Sequence, residues 1–294
     1  MKKLGGLLAG ALAVAAIGSA AAQDQSSAMI SPPKVLTITR EFVKPGKAGT
    51  MHDKTESAFV QAMSRAKWPT HYLGVNSLSG KSRSLFFTGY ESFEAWEKDT
   101  MATQKNTALA AALDHAAVVD GDLLDELDMG VFVYSQEYSL NPPAEHATPA
   151  TRYFEISVYH VKPGHHKEWD DGVKMVLATY QKALPEAHWA CYEGAYGAPE
   201  GTYLFITARK SASEIDTDFA HNKDFASAMG EEGMKKLDEL AAASIQSSET
   251  NLFMLNPKMS YVPDEWIKAD PDFWKPAAPA AAPKKPAEKT GTGQ

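Results

Sequence analysis

Residues 35–46 read Val35-Leu-Thr-Ile-Thr-Arg-Glu-Phe-Val-Lys-Pro-Gly46, and residues 153–164 read Tyr153-Phe-Glu-Ile-Ser-Val-Tyr-His-Val-Lys-Pro-Gly164. Two extended runs, 118 residues apart, end on the same Val-Lys-Pro-Gly. Leu36, Ile38 and Phe42 share one parity, as do Phe154, Ile156 and Val158, so each run reads as a strand with one buried face. Pro-Gly stops each strand. The period then changes. Trp169, Val173, Val176, Leu177, Tyr180 and Leu184 form a helical stripe ahead of Pro185. Met51, Ala58, Phe59, Ala62, Met63 and Ala66 form the matching stripe ahead of Pro69.

The echo continues in register. His71-Tyr72 answers to His188-Trp189, and Leu85-Phe86-Phe87 to Leu204-Phe205-Ile206. Val131-Phe-Val-Tyr134 answers to Leu252-Phe-Met-Leu255, and Ser139-Leu-Asn-Pro142 to Ser260-Tyr-Val-Pro263. Echoes kept in one order mark an internal duplication. The predicted units are 35–142 and 153–263, joined by a proline-bearing linker at 143–152. Strands are predicted at 71–78, 84–90, 188–196 and 202–208, second helical regions at 93–116 and 212–244, and last strands at 130–138 and 251–257. The class is α+β: each unit reads β-α-β-β-α-β, with helices on one face of an antiparallel sheet. The other face carries Thr37 and Thr39 in one unit and Glu155, Ser157 and Tyr159 in the other. Two such sheets face to face would enclose a semi-polar chamber, with His71, His188, Trp189 and Tyr203 as further candidate ligand contacts.

Glu155-Ile-Ser-Val-Tyr159, followed by Lys162-Pro163-Gly164 and a helix, resembles the start of NIPSNAP-like domains. Ser92-Phe-Glu-Ala-Trp96 resembles the dimeric α+β barrel superfamily, which includes antibiotic-biosynthesis-monooxygenase-like domains. The resemblance spans roughly residues 35–263. It implies two tandem ferredoxin-like units packed sheet to sheet, a pseudo-dimeric barrel within one chain. Some members bind haem or small organic molecules. Thr37 and Glu41 depart from the pattern, standing where the second unit has Glu155 and Tyr159. Haem-degrading relatives place an iron-ligating His where this chain has His221, in Asp218-Phe-Ala-His-Asn-Lys-Asp-Phe225.

The chain has 294 residues, a formal charge of −8 and a single Cys. The charge disfavours a nucleic-acid partner. One Cys excludes an intrachain disulfide and a thiolate cage. Lys2, Lys3, the apolar run Leu4 to Ile17 and the small residues before Gln23 have the layout of a signal peptide, residues 1–22, and so predict an exported, periplasmic or secreted protein. No later segment reads as a membrane span. Residues 264–294 are predicted to be a disordered Ala/Pro/Lys tail. Asp120-Gly-Asp-Leu-Leu-Asp-Glu-Leu-Asp128 lacks the spacing of a calcium loop and reads as a solvated connection. Cys191 reads as an inert buried thiol, and no metal set is evident. Glu155 and His221 are the catalytic candidates, Glu155 as a base if it faces a cavity. The predicted function is binding of a small ligand in the chamber; the alternative is a haem-binding or cofactor-light monooxygenase. Either works as a monomer with an internal pseudo-dimer or as a higher homo-oligomer.

Overall fold

The computed structural model describes residues 32–141 and 148–275. The expected leader, 1–22, lies outside the described residues. β1 (Val35–Val43) leads through the Pro-Gly turn to α1 (Thr50–Ala66), β2 (Tyr72–Ser77) and β3 (Arg83–Tyr90). Two helices follow, α2 (Phe93–Lys105) and α3 (Thr107–Gly121), and then β4 (Leu124–Leu140). The second half repeats the order with β5 (Tyr153–Val161), α4 (His166–Ala183), β6 (Trp189–Tyr196), β7 (Thr202–Arg209), α5 (Ser213–Ser244) and β8 (Ile245–Leu255). Helices α6 (Asp264–Ala269) and α7 (Pro271–Trp274) close the described chain. The region expected as one helix at 93–116 breaks at Asn106, whose side chain accepts from the Leu109 amide at 3.1 Å and starts α3.

The eight strands form a closed barrel in the order β1-β3-β2-β8-β5-β7-β6-β4. Every neighbouring pair is antiparallel. Strands of the first half run β4-β1-β3-β2 and those of the second β8-β5-β7-β6, so two seams, β2–β8 and β4–β6, complete the ring. Gly74 sits beside the first seam because a Cβ there would stand 2.5 Å from the Met259 carbonyl oxygen, a backbone approach that only glycine permits.

The interior is an apolar core. Leu36, Leu73, Phe87, Phe132, Phe154, Tyr192, Ile206 and Phe253, one from each strand, belong to a single buried cluster. Residues from all eight strands can meet only inside the ring. An eight-stranded barrel is just wide enough for side chains to fill it, so the more apolar parity turns inward. This corrects the expected chamber between two sheets. Thr37, Thr39, Glu155, Ser157 and Tyr159, on the opposite parity, face outward toward the helices. The α1 stripe is also shifted from the one expected: His52, Glu56 and Ala62 are its buried residues, and Met51 is 48% exposed.

The expected disordered tail is corrected over its first residues. Trp266 and Trp274, with ring centroids 5.5 Å apart, join the barrel core. The Trp274 indole donates to the Pro149 carbonyl at 3.1 Å. Arg152 pairs with Asp270 and stacks over the Phe273 ring at 3.8 Å. Residues 276–294 lie outside the described residues.

Candidate functional site

In the second half, a cavity of about 420 Å³ lies between the outer face of the sheet and helices α4 and α5. Strands supply Glu155, Ser157, Tyr159, Trp189, Phe205 and Thr207; the α4 stripe supplies Trp169, Val173, Val176 and Tyr180; α5 supplies Leu237, Asp238 and Ala241. The helical period aims Trp169, Val173, Val176 and Tyr180 at the sheet from four successive turns. A Cβ at Gly172 would meet Leu240 Cβ at 3.7 Å, an ordinary contact, so the approach of α4 to α5 does not depend on glycine there.

Aromatic rings build the wall. Tyr159 and Trp169 lie 5.3 Å apart by ring centroid, Tyr159 and Phe205 5.5 Å, and Tyr180 and Trp189 5.1 Å. Such pairs hold one another's rotamers and keep the walls apart. The Trp189 indole donates to the Tyr138 carbonyl at 2.9 Å, whereas Trp169 Nε1 is buried with no hydrogen-bond partner. Burial, and then the charge of Glu155, raises the Tyr159 hydroxyl above its ordinary range. Burial, then Asp218, does the same to Tyr180. Both phenols therefore stay neutral donors. Glu155 accepts from Arg209 at 2.8 Å, and Arg209 also pairs with Asp218 at 2.6 Å. Ser157 and Thr250 share a hydroxyl hydrogen bond of 2.7 Å.

Four of the expected contacts, Glu155, Ser157, Tyr159 and Trp189, thus line one pocket, on the helix side of the sheet rather than between sheets. Tyr203 lies behind the wall, stacked on Trp169 at 5.1 Å. His188 is turned to backbone, with Nε2 3.1 Å from the Ala208 carbonyl. His71 belongs to the first half, stacked on Tyr261 at 4.7 Å, and its burial lowers its basicity. Thr37 and Thr39 are also in the first half; Thr37 Oγ1 donates to the Thr88 carbonyl at 3.4 Å. His221 sits half-buried on α5 and is not part of the lining. Cys191 is buried, and that burial pushes its thiol well above the thiolate range. The lining contains no His, Cys or Met, and its tyrosines are held protonated, so these residues do not fit the axial ligation of haem iron.

The first half uses the same outer face differently. Glu41 on β1, His52 and Glu56 on α1 and Asp120 on α3 are all buried and put one ligating atom each within 4.8 Å of the others. His52 Nε2 is 3.0 Å from Glu41 Oε2, 3.4 Å from Asp120 Oδ1 and 3.9 Å from Glu56 Oε1. Burial alone would lower the imidazole, but hydrogen bonds to Asp120 and Glu41 carry it up to about 10. Burial, and then repulsion from Glu41 and Asp120, pushes Glu56 up to about 9. Burial also raises Glu41, against the hydrogen bond from His52. Sequence reading missed this group and placed Asp120 in a solvated connection; it is 2% exposed. The signal was the i, i+4 pair His52 and Glu56, one helical face shared by two ionisable groups.

No family model matches the chain, and no curated protein matches it. Similar solved structures include a Lactobacillus acidophilus protein provisionally named a monooxygenase (8% identity, 78% of this chain and 95% of that chain, TM-score 0.47). An anthrone oxidase-like protein matches at 14% identity over 76% of this chain and 92% of that one, TM-score 0.47. A mutant chlorite dismutase from Candidatus Nitrospira defluvii matches at 10% identity over 83% of this chain and 98% of that one, TM-score 0.47. The class itself rests on this chain's own strand pairing: a mixed α+β protein around a closed eight-stranded antiparallel barrel, the arrangement of the dimeric α+β barrel fold.

Proposed function

We propose that the chain binds a small, neutral, largely aromatic molecule bearing an acceptor oxygen, in the pocket of its second half. The single observation behind this is the cavity of about 420 Å³ walled by aromatic rings, with the Tyr159 and Tyr180 phenols held protonated beside it. Pockets of this size and lining hold drug-sized ligands through apolar contact, with few polar groups fixing orientation. A carbonyl or phenol oxygen on the ligand would accept from one of these neutral hydroxyls. Glu155 is engaged by Arg209, which favours binding over proton abstraction.

The repeated element order supports two ferredoxin-like units derived by duplication, the halves standing in for two subunits. All eight strands come from one chain, which supports a monomer. The layout of residues 1–22 supports export.

The test is titration of the purified full chain with the neutral probe N-phenyl-1-naphthylamine, read by probe and tryptophan fluorescence. Saturable binding at one site, abolished by Val176→Trp, supports the reading. Absence of saturation, or equal binding by Val176→Trp, overturns it. A parallel haemin titration separates the alternative: a Soret shift lost in His221→Ala would transfer the function to haem.

A further inference from the structure

We propose that Glu41, His52, Glu56 and Asp120 hold one divalent first-row transition-metal ion that ties β1, α1 and α3 together. Four donors converge from three elements and no other described side chains do so with this composition. They are 8%, 2%, 3% and 2% exposed, so none is a solvated surface charge. Three carboxylates around a single imidazole leave the group net negative even with His52 charged. Such a group is expensive to bury without a counter-charge.

A further observation points to a missing partner. Glu56 Oε1 is buried with no hydrogen bond, 3.9 Å from His52 Nε2. The Tyr72 hydroxyl is also buried without a partner, and its ionisation is pushed up by burial and then by Glu56 and Glu41. Glu56 Oε1 would gain its partner if a cation stood among the carboxylates, with Glu56 turned to it.

The second layer is in place. Thr55 Oγ1 donates to Asp120 Oδ1 and holds that carboxylate toward the cluster. Ser84 Oγ donates to Asn76 Oδ1 at 2.7 Å, so its lone pair is left to accept from His52 Nδ1, 3.4 Å away. That tautomer frees Nε2 for a metal, the role a second-layer partner plays for ligating histidines. Metal–ligand bonds of about 2.1 Å put neighbouring ligand atoms roughly 3–4 Å apart. The separations within the cluster, 3.0 to 3.9 Å from Nε2, need little adjustment. One nitrogen and three oxygens favour manganese, iron, cobalt or zinc over magnesium and calcium, which prefer oxygen alone. Four buried protein donors make a closed, structural site. This inference is independent of the pocket, which lies in the other half.

The test uses the full chain, stripped with chelator and titrated with Co²⁺ or Zn²⁺, followed by calorimetry, cobalt d–d absorbance and thermal unfolding. The expected result is one ion per chain, a d–d spectrum of a nitrogen–oxygen site and a raised unfolding midpoint. Glu56→Gln weakens binding by more than about tenfold, and Trp169→Phe leaves it unchanged. If Glu56→Gln fails to fold, Thr55→Ala takes its place, since it only releases Asp120 and loses roughly tenfold. No ion retained by the wild-type chain, or equal affinity in wild type and the folded variant, overturns the proposal.

Discussion

The two halves lay their four strands on the barrel in the same order, yet their outer faces differ at matching positions. Glu41 and Tyr159 occupy the same place in β1 and β5, each two residues before the Val that precedes Lys-Pro-Gly. In the first half that place carries a carboxylate, and α1 answers it with His52 and Glu56. In the second it carries a ring, and α4 answers with Trp169. Charges draw polar partners inward; rings of fixed shape prop helix and sheet apart and leave a cavity. One scaffold therefore supports an ionic centre on one side and an apolar receptacle on the other.

The sharpest way to break this contrast is to remove the only basic group of the cluster. His52→Ala leaves three buried carboxylates facing one another and is expected to cost about 3–5 kcal/mol, read by urea unfolding in metal-free buffer. Its counterpart, Trp169→Ala, should cost about 3 kcal/mol, the low end for such a truncation, because the indole already borders the pocket. A loss below about 1 kcal/mol would mean that the ring does not support the wall.

A third comparison uses pH. Glu56 has a folded value near 9 against 4.5 in the unfolded chain, so the folded state holds its proton longer. Its stabilising effect is complete below 4.5 and is lost as pH rises toward 9. Metal-free wild type should therefore lose stability between pH 5 and 9. Glu56→Gln, which cannot ionise, should be flatter, with a difference on the order of 2 kcal/mol already reached by pH 6. Parallel profiles would show that Glu56 is not the buried acid. The smallest effect belongs to the pocket side. Gly172→Ala adds a methyl at ordinary contact distance from Leu240 and should raise stability by about 0.5–1 kcal/mol, seen in thermal unfolding.

The order of strands and helices was legible because Pro45-Gly46 and Pro163-Gly164 punctuate two changes of period. Parity also told which residues share a face: Glu155, Ser157 and Tyr159 do line one surface. It did not tell which face the helices take. Leu36 and Ile38 fit a helix-covered face as well as a barrel interior, and only closure of the ring decides between them. The ionic cluster was hidden for a different reason. Asp120 is 68 residues from His52 in sequence, and an i, i+4 His–Glu pair looks like the wet side of a helix until α3 packs over it. Trp266 and Trp274 were obscured by the low-complexity segment that follows them.

Trp274 is the last large apolar side chain in the sequence, and with Trp266 it completes the core after the eighth strand. A chain emerging from the ribosome can thus pair all eight strands and still have an uncorked barrel. Premature termination a dozen codons before residue 274 is expected to give a product that lacks both rings of that cluster and is less stable than the full chain.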